Sequence, residues 1–550
     1  MEALIENIHP FLHQGDQQLP RFPFKQLDRW QICLFIAALA YSGILLAIMP
    51  ANSLMWDEVT HLHGGLLLSR GQAVTWALTN SFYPPAFDVF AALSFLVFGP
   101  SVWAARVVSV VFAVLSLFVI YELANLLYNS KKAALVASVL FAVMPGIVWV
   151  SKMAMIETLL IFTVSLAMLF FFRWLKYSRE KDRVLFVATF VLGVLVKYQV
   201  IVIVPLIAVL GTYFWKKDYF RSELKKWFTL PRVAIVATAL FAATVIGYVL
   251  LSSKTLDFLI YAFGVGSEQK ATYSTRYPIP IFYFAEMTWV TELFHPISLL
   301  LYLAGLAGLG LMIYRRKTGD KFLLLWFTVT YVVFTLVSNR EWRYMTVAFP
   351  VLAIAASSLI AACWTKLQEI SNKPTSNLSK WSARAGTVVL VAFVVSGGLL
   401  SAVDTYIWVC HDRAEVPVEQ ASLYVGQKLS ENQTLVVVAA VNHFSKYMVS
   451  FYLSTKDATR DFNQTCLQYP ASAMDTFASA FNVSELVSLC QESGTRYVLL
   501  YEYGGLRYFE SSLSAPQVYD LLDTTEKFSL EASFGVEPHR IFVFSFDNTA

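Results

Sequence analysis

Apolar stretches long enough to cross a bilayer as a helix, about 20 residues each, recur from residue 30 to residue 404 and then stop. Lys and Arg concentrate in cytoplasmic loops. Placing the stretches against that rule predicts eleven spans, at 30–50, 101–127, 132–150, 155–175, 184–198, 199–215, 233–253, 292–314, 321–338, 344–365 and 385–404. With the N-terminus inside, the cytoplasmic loops hold Lys131 and Lys132, Lys176 to Arg183, Lys216 to Arg232, Arg315 to Lys317, and Lys366 to Arg384. The other face receives residues 51–100, the turn before Glu157, the Lys197 turn, residues 252–291, the 339–343 turn and everything beyond Asp404. The apolar run from Phe87 to Phe98 is too short to span, follows Tyr83-Pro84-Pro85 and carries Asp88. It is expected to lie in the interface as a helix, after another helix over Glu58 to Ser69.

Beyond residue 404 the pattern changes to short Val, Ile and Tyr runs alternating with amphipathic stretches. Leu435 to Ala440, Arg496 to Tyr501 and Arg540 to Phe546 predict strands, and Pro417 to Ser430 and Ser484 to Gln491 predict helices. The expected architecture is therefore an α-helical polytopic membrane protein with a C-terminal α/β domain. Its boundaries are a cytoplasmic segment over 1–30, a transmembrane domain over 31–404 with a first extracytoplasmic loop at 51–100, and the α/β domain over 405–550.

Composition agrees. The chain has 550 residues, is 57% apolar or aromatic and only 15% charged, and its mean hydropathy is +0.56. The net charge of +4 is too small to specify a partner, and no basic tract suggests nucleic acid. The first apolar run lacks a small-residue cleavage site, so a retained signal anchor is expected. Cys33 and Cys363 fall in spans; Cys466 and Cys490, in the α/β domain, could form a disulfide or remain thiols. Sequons at Asn432, Asn463 and Asn482 fit the non-cytoplasmic side.

The candidate chemistry collects on that side. Asp57 and Glu58 follow the first span, Glu157 opens a span, Lys197 closes one and Arg343 begins another. Any one alone is compatible with an ordinary interfacial charge, but together they form a site holding both acids and cations. Such a set suits transfer from a phosphate-linked donor. Lys197 and Arg343 would stabilise the negative charge developing on the leaving phosphate. One carboxylate would take the proton from an incoming hydroxyl or amine. Asp57 is the expected base, with Glu157 orienting the acceptor or sharing the proton. His61 lies one helical turn beyond Asp57 and is a candidate acceptor contact; as a metal ligand it is disfavoured, and no metal site is expected. Arg276, with Tyr277, sits in a long loop able to close over substrate.

In order and spacing these residues resemble a known family. Trp56-Asp57-Glu58, then Tyr83-Pro84-Pro85 before a short helix ending Phe98-Gly99, then Arg106 opening a span, is similar to the integral-membrane glycosyltransferases of the GT-C fold. Within these the chain most resembles the protein O-mannosyltransferases and the bacterial aminoarabinose transferase that modifies lipid A. The resemblance continues through Met155-Ile156-Glu157, Gly193 to Lys197, and Arg343-Tyr344 leading to Pro350, covering residues 30 to 365. It implies a polyprenyl-phosphate sugar donor, inversion at the anomeric carbon and a site outside the cytoplasm. It makes Asp57 the base, Glu58 and Glu157 site carboxylates, and Lys197 and Arg343 candidate donor-phosphate ligands; apart from the resemblance, Arg276 is a further candidate for that phosphate, and Tyr83 and Tyr344 are candidate acceptor or loop contacts. One departure counts against a lipid A acceptor: the lipid A enzyme has an acid and a lysine before the proline where this chain has Tyr83 and Pro84.

The implied partners are the lipid-linked donor, membrane lipid, and a protein, glycolipid or glycan acceptor. No cofactor is expected, and a divalent metal is the less favoured arrangement. Two other functions compete: an oligosaccharyltransferase using a lipid-pyrophosphate glycan, against which stands the lack of a WWD motif, and a secondary transporter or lipid flippase. The expected location is the plasma membrane, with the N-terminus cytoplasmic and the C-terminal domain outside.

Overall fold

The computed structural model describes residues 28–49, 54–79, 83–197, 200, 203–214, 275–337, 340–374, 376–411, 416–438, 444–457, 462–469, 481–502, 507–508 and 513–548. The membrane part is built from helices α1 (Arg29–Ile48), α2 (Trp56–Ser69), α3 (Ala73–Thr79), α4 (Ala86–Phe98), α5 (Val102–Tyr128), α6 (Lys131–Ala142) and α7 (Pro145–Ser151). It continues with α8 (Ile156–Tyr177), α9 (Glu180–Val196), α10 (Ile203–Phe214), α11 (Phe282–Glu286), α12 (Leu299–Arg315) and α13 (Thr318–Leu336). A 3₁₀ segment, Trp342–Ala348, leads into α14 (Phe349–Asn372), and α15 (Asn377–His411) ends this part.

Local chemistry sets the ends of these helices. Asp28 and Gln31 form a reciprocal cap at the start of α1, and Ser101 and Ser130 cap α5 and α6 by accepting from the backbone N–H groups of Ala104 and Ala133, three residues on. Pro145 opens α7 at a bend of 67° after α6, so the third predicted span is one broken helix pair. The α12–α14 crossing depends on Gly308: a Cβ there would lie 2.2 Å from the Ala355 carbonyl oxygen.

The predicted spans correspond to α1, α5, the α6–α7 pair, α8, α9, α10, α12, α13, α14 and α15; the one at 233–253 lies outside the described residues. The last span is the middle of a 35-residue helix that continues to His411, beyond the expected boundary at 404. Helices α2 and α4 form where the two interfacial helices were expected, and they pack on each other. Gly65 meets Ala91 so closely that a Cβ would come within 2.8 Å. Helix α3, between them, was not anticipated.

The C-terminal region contains α16 (Val418–Lys428), β1 (Thr434–Val438), α17 (Lys446–Lys456), α18 (Phe462–Thr465), β2 (Cys466–Tyr469), α19 (Val483–Glu492) and β3 (Thr495–Tyr501). It ends with β4 (Arg507–Tyr508), β5 (Leu513–Ser514), α20 (Ala515–Asp523), β6 (Phe528–Phe534) and β7 (Ile541–Phe546). Its main sheet has the order β2-β1-β3-β7-β6, with the first three strands parallel and β7 antiparallel to both β3 and β6. The three predicted strands are its centre, β1, β3 and β7, whose apolar runs are buried on both faces. The edge strands β2 and β6 were not legible: β2 has four residues, and β6 is largely exposed. Cys466 and Cys490 are buried and are not joined by a disulfide.

Candidate active site

The expected acids and cations converge at one end of the bundle. Asp57 stands in the first turn of α2, Glu157 in the first turn of α8, Lys197 is the C-cap of α9, and Arg343 lies in the 3₁₀ segment before α14. Arg343 Nη1 donates to Asp57 Oδ2 at 2.5 Å, across 286 positions of sequence. Lys197 Nζ donates to Glu157 Oε1 at 3.0 Å and stands 5.7 Å from the ring centroid of Tyr344, a cation–π distance. Tyr83 completes the group through electrostatic interaction with Asp57, Arg343, Glu157 and Tyr344.

A third acid, Glu341, belongs to this cluster and was not singled out from the sequence. It accepts from Arg343 Nε and, at 2.9 Å, from Nη2. Glu341 thus grips one edge of the guanidinium while Nη1 on the other edge reaches Asp57. Its signal was its place in the same short turn, two residues before Arg343.

The pairs differ in accessibility. Glu157 is only 3% exposed, whereas Asp57 keeps 29% and Arg343 20% of their side-chain surface. Burial alone would raise the Asp57 carboxyl, but the Arg343 guanidinium, aided by Lys197 and His61, holds it below the usual carboxylate range. Asp57 is therefore an anion at neutral pH. Burial and the same Asp57 anion push the Tyr83 hydroxyl well above its ordinary value, so it stays protonated and able to donate.

Glu58, expected beside Asp57 as a site carboxylate, turns into the protein. Consecutive helical residues point about 100° apart, and Glu58 is fully buried. It accepts from Arg106 Nε at 2.8 Å and Nη2 at 2.9 Å, from the Ala154 N–H at 2.7 Å and from the Met55 N–H at 3.0 Å. Arg106 also donates to the Met49 carbonyl at 2.8 Å. This bidentate pair ties α2, α5, the end of α1 and the turn before α8 into one frame that holds Asp57 and Glu157 in place. Ser109 adds a bond from its hydroxyl to the Met155 backbone.

His61 is likewise committed elsewhere. Its Nδ1 lies 2.7 Å from Asp88 Oδ1, and Trp76 Nε1 donates to Asp88 Oδ2 at 2.8 Å. His61 and Asp88 are buried, so this network joins α2, α3 and α4 rather than presenting His61 to an acceptor. Arg276 is not brought to Asp57. It pairs with Glu286 at 3.1 Å and with the Val290 carbonyl, while Tyr277 donates to the Trp289 carbonyl. Among the described residues no three His, Cys, Asp or Glu side chains converge as metal ligands do.

Searched by overall shape, the chain resembles ArnT from Cupriavidus metallidurans in the apo state with a TM-score of 0.62, covering 94% of this chain and 98% of that one at 14% identity. It resembles the oligosaccharyltransferase of Archaeoglobus fulgidus with a TM-score of 0.56, covering 87% of this chain and 70% of the other. This is a GT-C fold. By sequence, residues 83–248 of the GT-C chain match the dolichyl-phosphate-mannose-protein mannosyltransferase family. Relatives include an undecaprenyl phosphate-alpha-4-amino-4-deoxy-L-arabinose arabinosyl transferase of Proteus mirabilis, 24% identical, and one of Yersinia pestis, 23% identical. The first match spans 60% of each chain and the second 67%.

Proposed function

We propose that this GT-C protein is an inverting glycosyltransferase that moves a sugar from a polyprenyl-phosphate donor to a hydroxyl or amine, on the non-cytoplasmic face of the membrane. The observation that carries this reading is the Asp57–Arg343 pair beside Glu157–Lys197 at one end of the bundle. The named activity of the arabinosyl transferases, and an ArnT crystal structure bound to undecaprenyl phosphate, similar in fold to this chain with a TM-score of 0.58, support the donor class.

The reaction is a single displacement. The acceptor oxygen or nitrogen attacks the anomeric carbon, the bond from that carbon to the phosphate oxygen breaks, and the lipid phosphate departs with the electron pair. Arg343 and Lys197 offset the charge arriving on the phosphate. As the phosphate takes the Nη1 edge of Arg343 from Asp57, Asp57 loses its cation partner and becomes the better base, receiving the acceptor's proton. Glu341 holds the guanidinium in position during this exchange, and Glu157 keeps Lys197 at the same height. Glu58 has a structural part. In this reading the protein sits in the plasma membrane with its N-terminus cytoplasmic and its C-terminal domain outside.

The test is transfer from a synthetic polyprenyl-phosphate sugar by purified protein in lipid. Asp57→Asn is expected to lower kcat by about 10²–10⁴ while leaving donor binding and thermal stability close to the parent. An Asp57→Asn protein that transfers at the parent rate would remove Asp57 from the role of base. Counterflow of labelled donor without covalent product would instead support transport.

A further inference from the structure

The helix that presents Asp57 also carries the seam between the membrane part and the C-terminal domain. His63 stands six positions after Asp57 on α2, about 9 Å along the axis, and is 7% exposed. Its Nε2 lies 2.8 Å from the Tyr447 carbonyl oxygen and 3.3 Å from Ser450 Oγ, both on α17. A carbonyl only accepts, so Nε2 carries the hydrogen. The His63 ring meets Phe451 edge-on at 5.8 Å, and Arg70, the C-cap of α2, donates to the Ser454 carbonyl and interacts electrostatically with Asp457. On the same helix, Tyr452 feels the charges of Glu58 and Arg106, the pair that frames the site. Contacts from Tyr447 to Asp457 thus lay α17 along the helix that carries Asp57.

We propose that His63 is a positioning residue through which the C-terminal domain fixes the acid-bearing helix, so that this domain is part of the active-site scaffold throughout turnover. The proposal rests on the reading of Asp57 as the base. The first turn of α2 is held by Asp57 and Glu58, and its middle by the His61–Asp88 bond and the Gly65–Ala91 contact. The far end of the helix is held by His63 and Arg70. Losing the His63 bond loosens the far half of α2 against α17, and a displacement of about 1 Å at a reacting group is worth about 10²-fold in rate. The donor-phosphate cations, Lys197 and Arg343, are on other elements and keep their places.

Two substitutions and a cross-link test this. His63→Ala removes the Nε2 donor; His63→Gln offers a side-chain N–H at nearly the same reach. His63→Ala is expected to lower kcat tenfold or more with KM for donor within twofold, and His63→Gln to recover most of the loss. Hydrogen exchange of residues 56–69 and 446–456, which needs no activity, is expected to rise together in His63→Ala and to return in His63→Gln. A His63→Cys, Ser450→Cys double variant is expected to keep its activity when oxidised to a disulfide. Parent-level kcat in His63→Ala, or exchange confined to residues 446–456, would overturn the positioning role; loss of activity on cross-linking would show that the seam must open. If the parent itself moves no sugar from a polyprenyl phosphate, the functional reading fails, yet the exchange experiment still decides whether α17 restrains α2.

Discussion

The two ends of the bundle use the same ion-pair chemistry to different effect. At the end opposite the site, Asp320 is fully buried and saturated: Arg315 reaches it at 2.9 and 2.5 Å, Tyr128 donates at 2.9 Å, and the Lys317 N–H donates at 2.9 Å. Its cation partner is five residues away in sequence, across the α12–α13 turn. At the site end, Asp57 and Arg343 come from segments 286 positions apart, and each keeps a fifth or more of its surface open. A saturated local pair closes a helix turn. An open pair assembled from distant segments can exchange partners with a ligand, which is what a phosphate donor requires.

Glu58 interrupts this contrast, because it sits at the site end but is bonded like Asp320. The largest separation between the two ends is therefore expected from Asp57→Asn, with its loss of kcat and unchanged melting transition. Glu58→Gln is expected to do the reverse. Leaving Arg106 without a full charge partner costs about 3–5 kcal/mol, read as a lower melting temperature and poor yield in detergent. Normal melting of Glu58→Gln with lost transfer would return Glu58 to the reacting groups. Asp320→Asn is expected to cost less stability, about 1–3 kcal/mol, since Arg315 is 21% exposed and can turn to water, and to leave the transfer rate of the folded fraction intact.

Smaller again is a pH effect at Glu286, beside the site loop. Burial pushes this carboxyl up to about 7, against the pull of Arg276. The folded state then holds a proton that the unfolded state releases above the ordinary glutamate range, so stability falls as pH rises from about 4.5 to 7 and levels off beyond. Glu286→Gln is expected to flatten that slope in thermal scans between pH 5 and 8; an unchanged slope would assign it to other groups. The least effect, none, is expected from EDTA on the transfer rate, since Asp57, Glu157 and Glu341 each face a Lys or Arg cation. Loss of activity restored by Mg²⁺ or Mn²⁺ would favour the metal-dependent, oligosaccharyltransferase-like alternative.

Much of the candidate site was legible because ionisable residues are rare in and beside membrane-spanning segments. Asp57, Glu157, Lys197 and Arg343 stood out one by one against long apolar runs, and topology put them at one height. Tyr83 and Tyr344 followed from their neighbours in the motifs. What remained hidden was direction. Adjacent acids on a helix face different surroundings, and nothing in Trp56-Asp57-Glu58 distinguishes the residue facing Arg343 from the one facing Arg106. The partners of His61 and Arg276 were hidden for the same reason: Asp88 and Glu286 lie on other elements, and pairing across them depends on how α2 packs on α4 and how the loop folds back. Edge strands β2 and β6 lack the doubly buried apolar run that made β1, β3 and β7 readable.

The sequence by itself determined where apolar helices fall along the chain, which acids and cations stand out beside them, and the α/β character of the last region, because these follow from segment length, hydropathy and periodicity within single segments. Only the tertiary structure decided which acid meets which cation, that Glu341 clamps Arg343, and that α17 lies along the helix that carries Asp57. Those outcomes depend on side-chain directions and packing between segments hundreds of residues apart, and no local pattern encodes an interaction whose two halves are read separately.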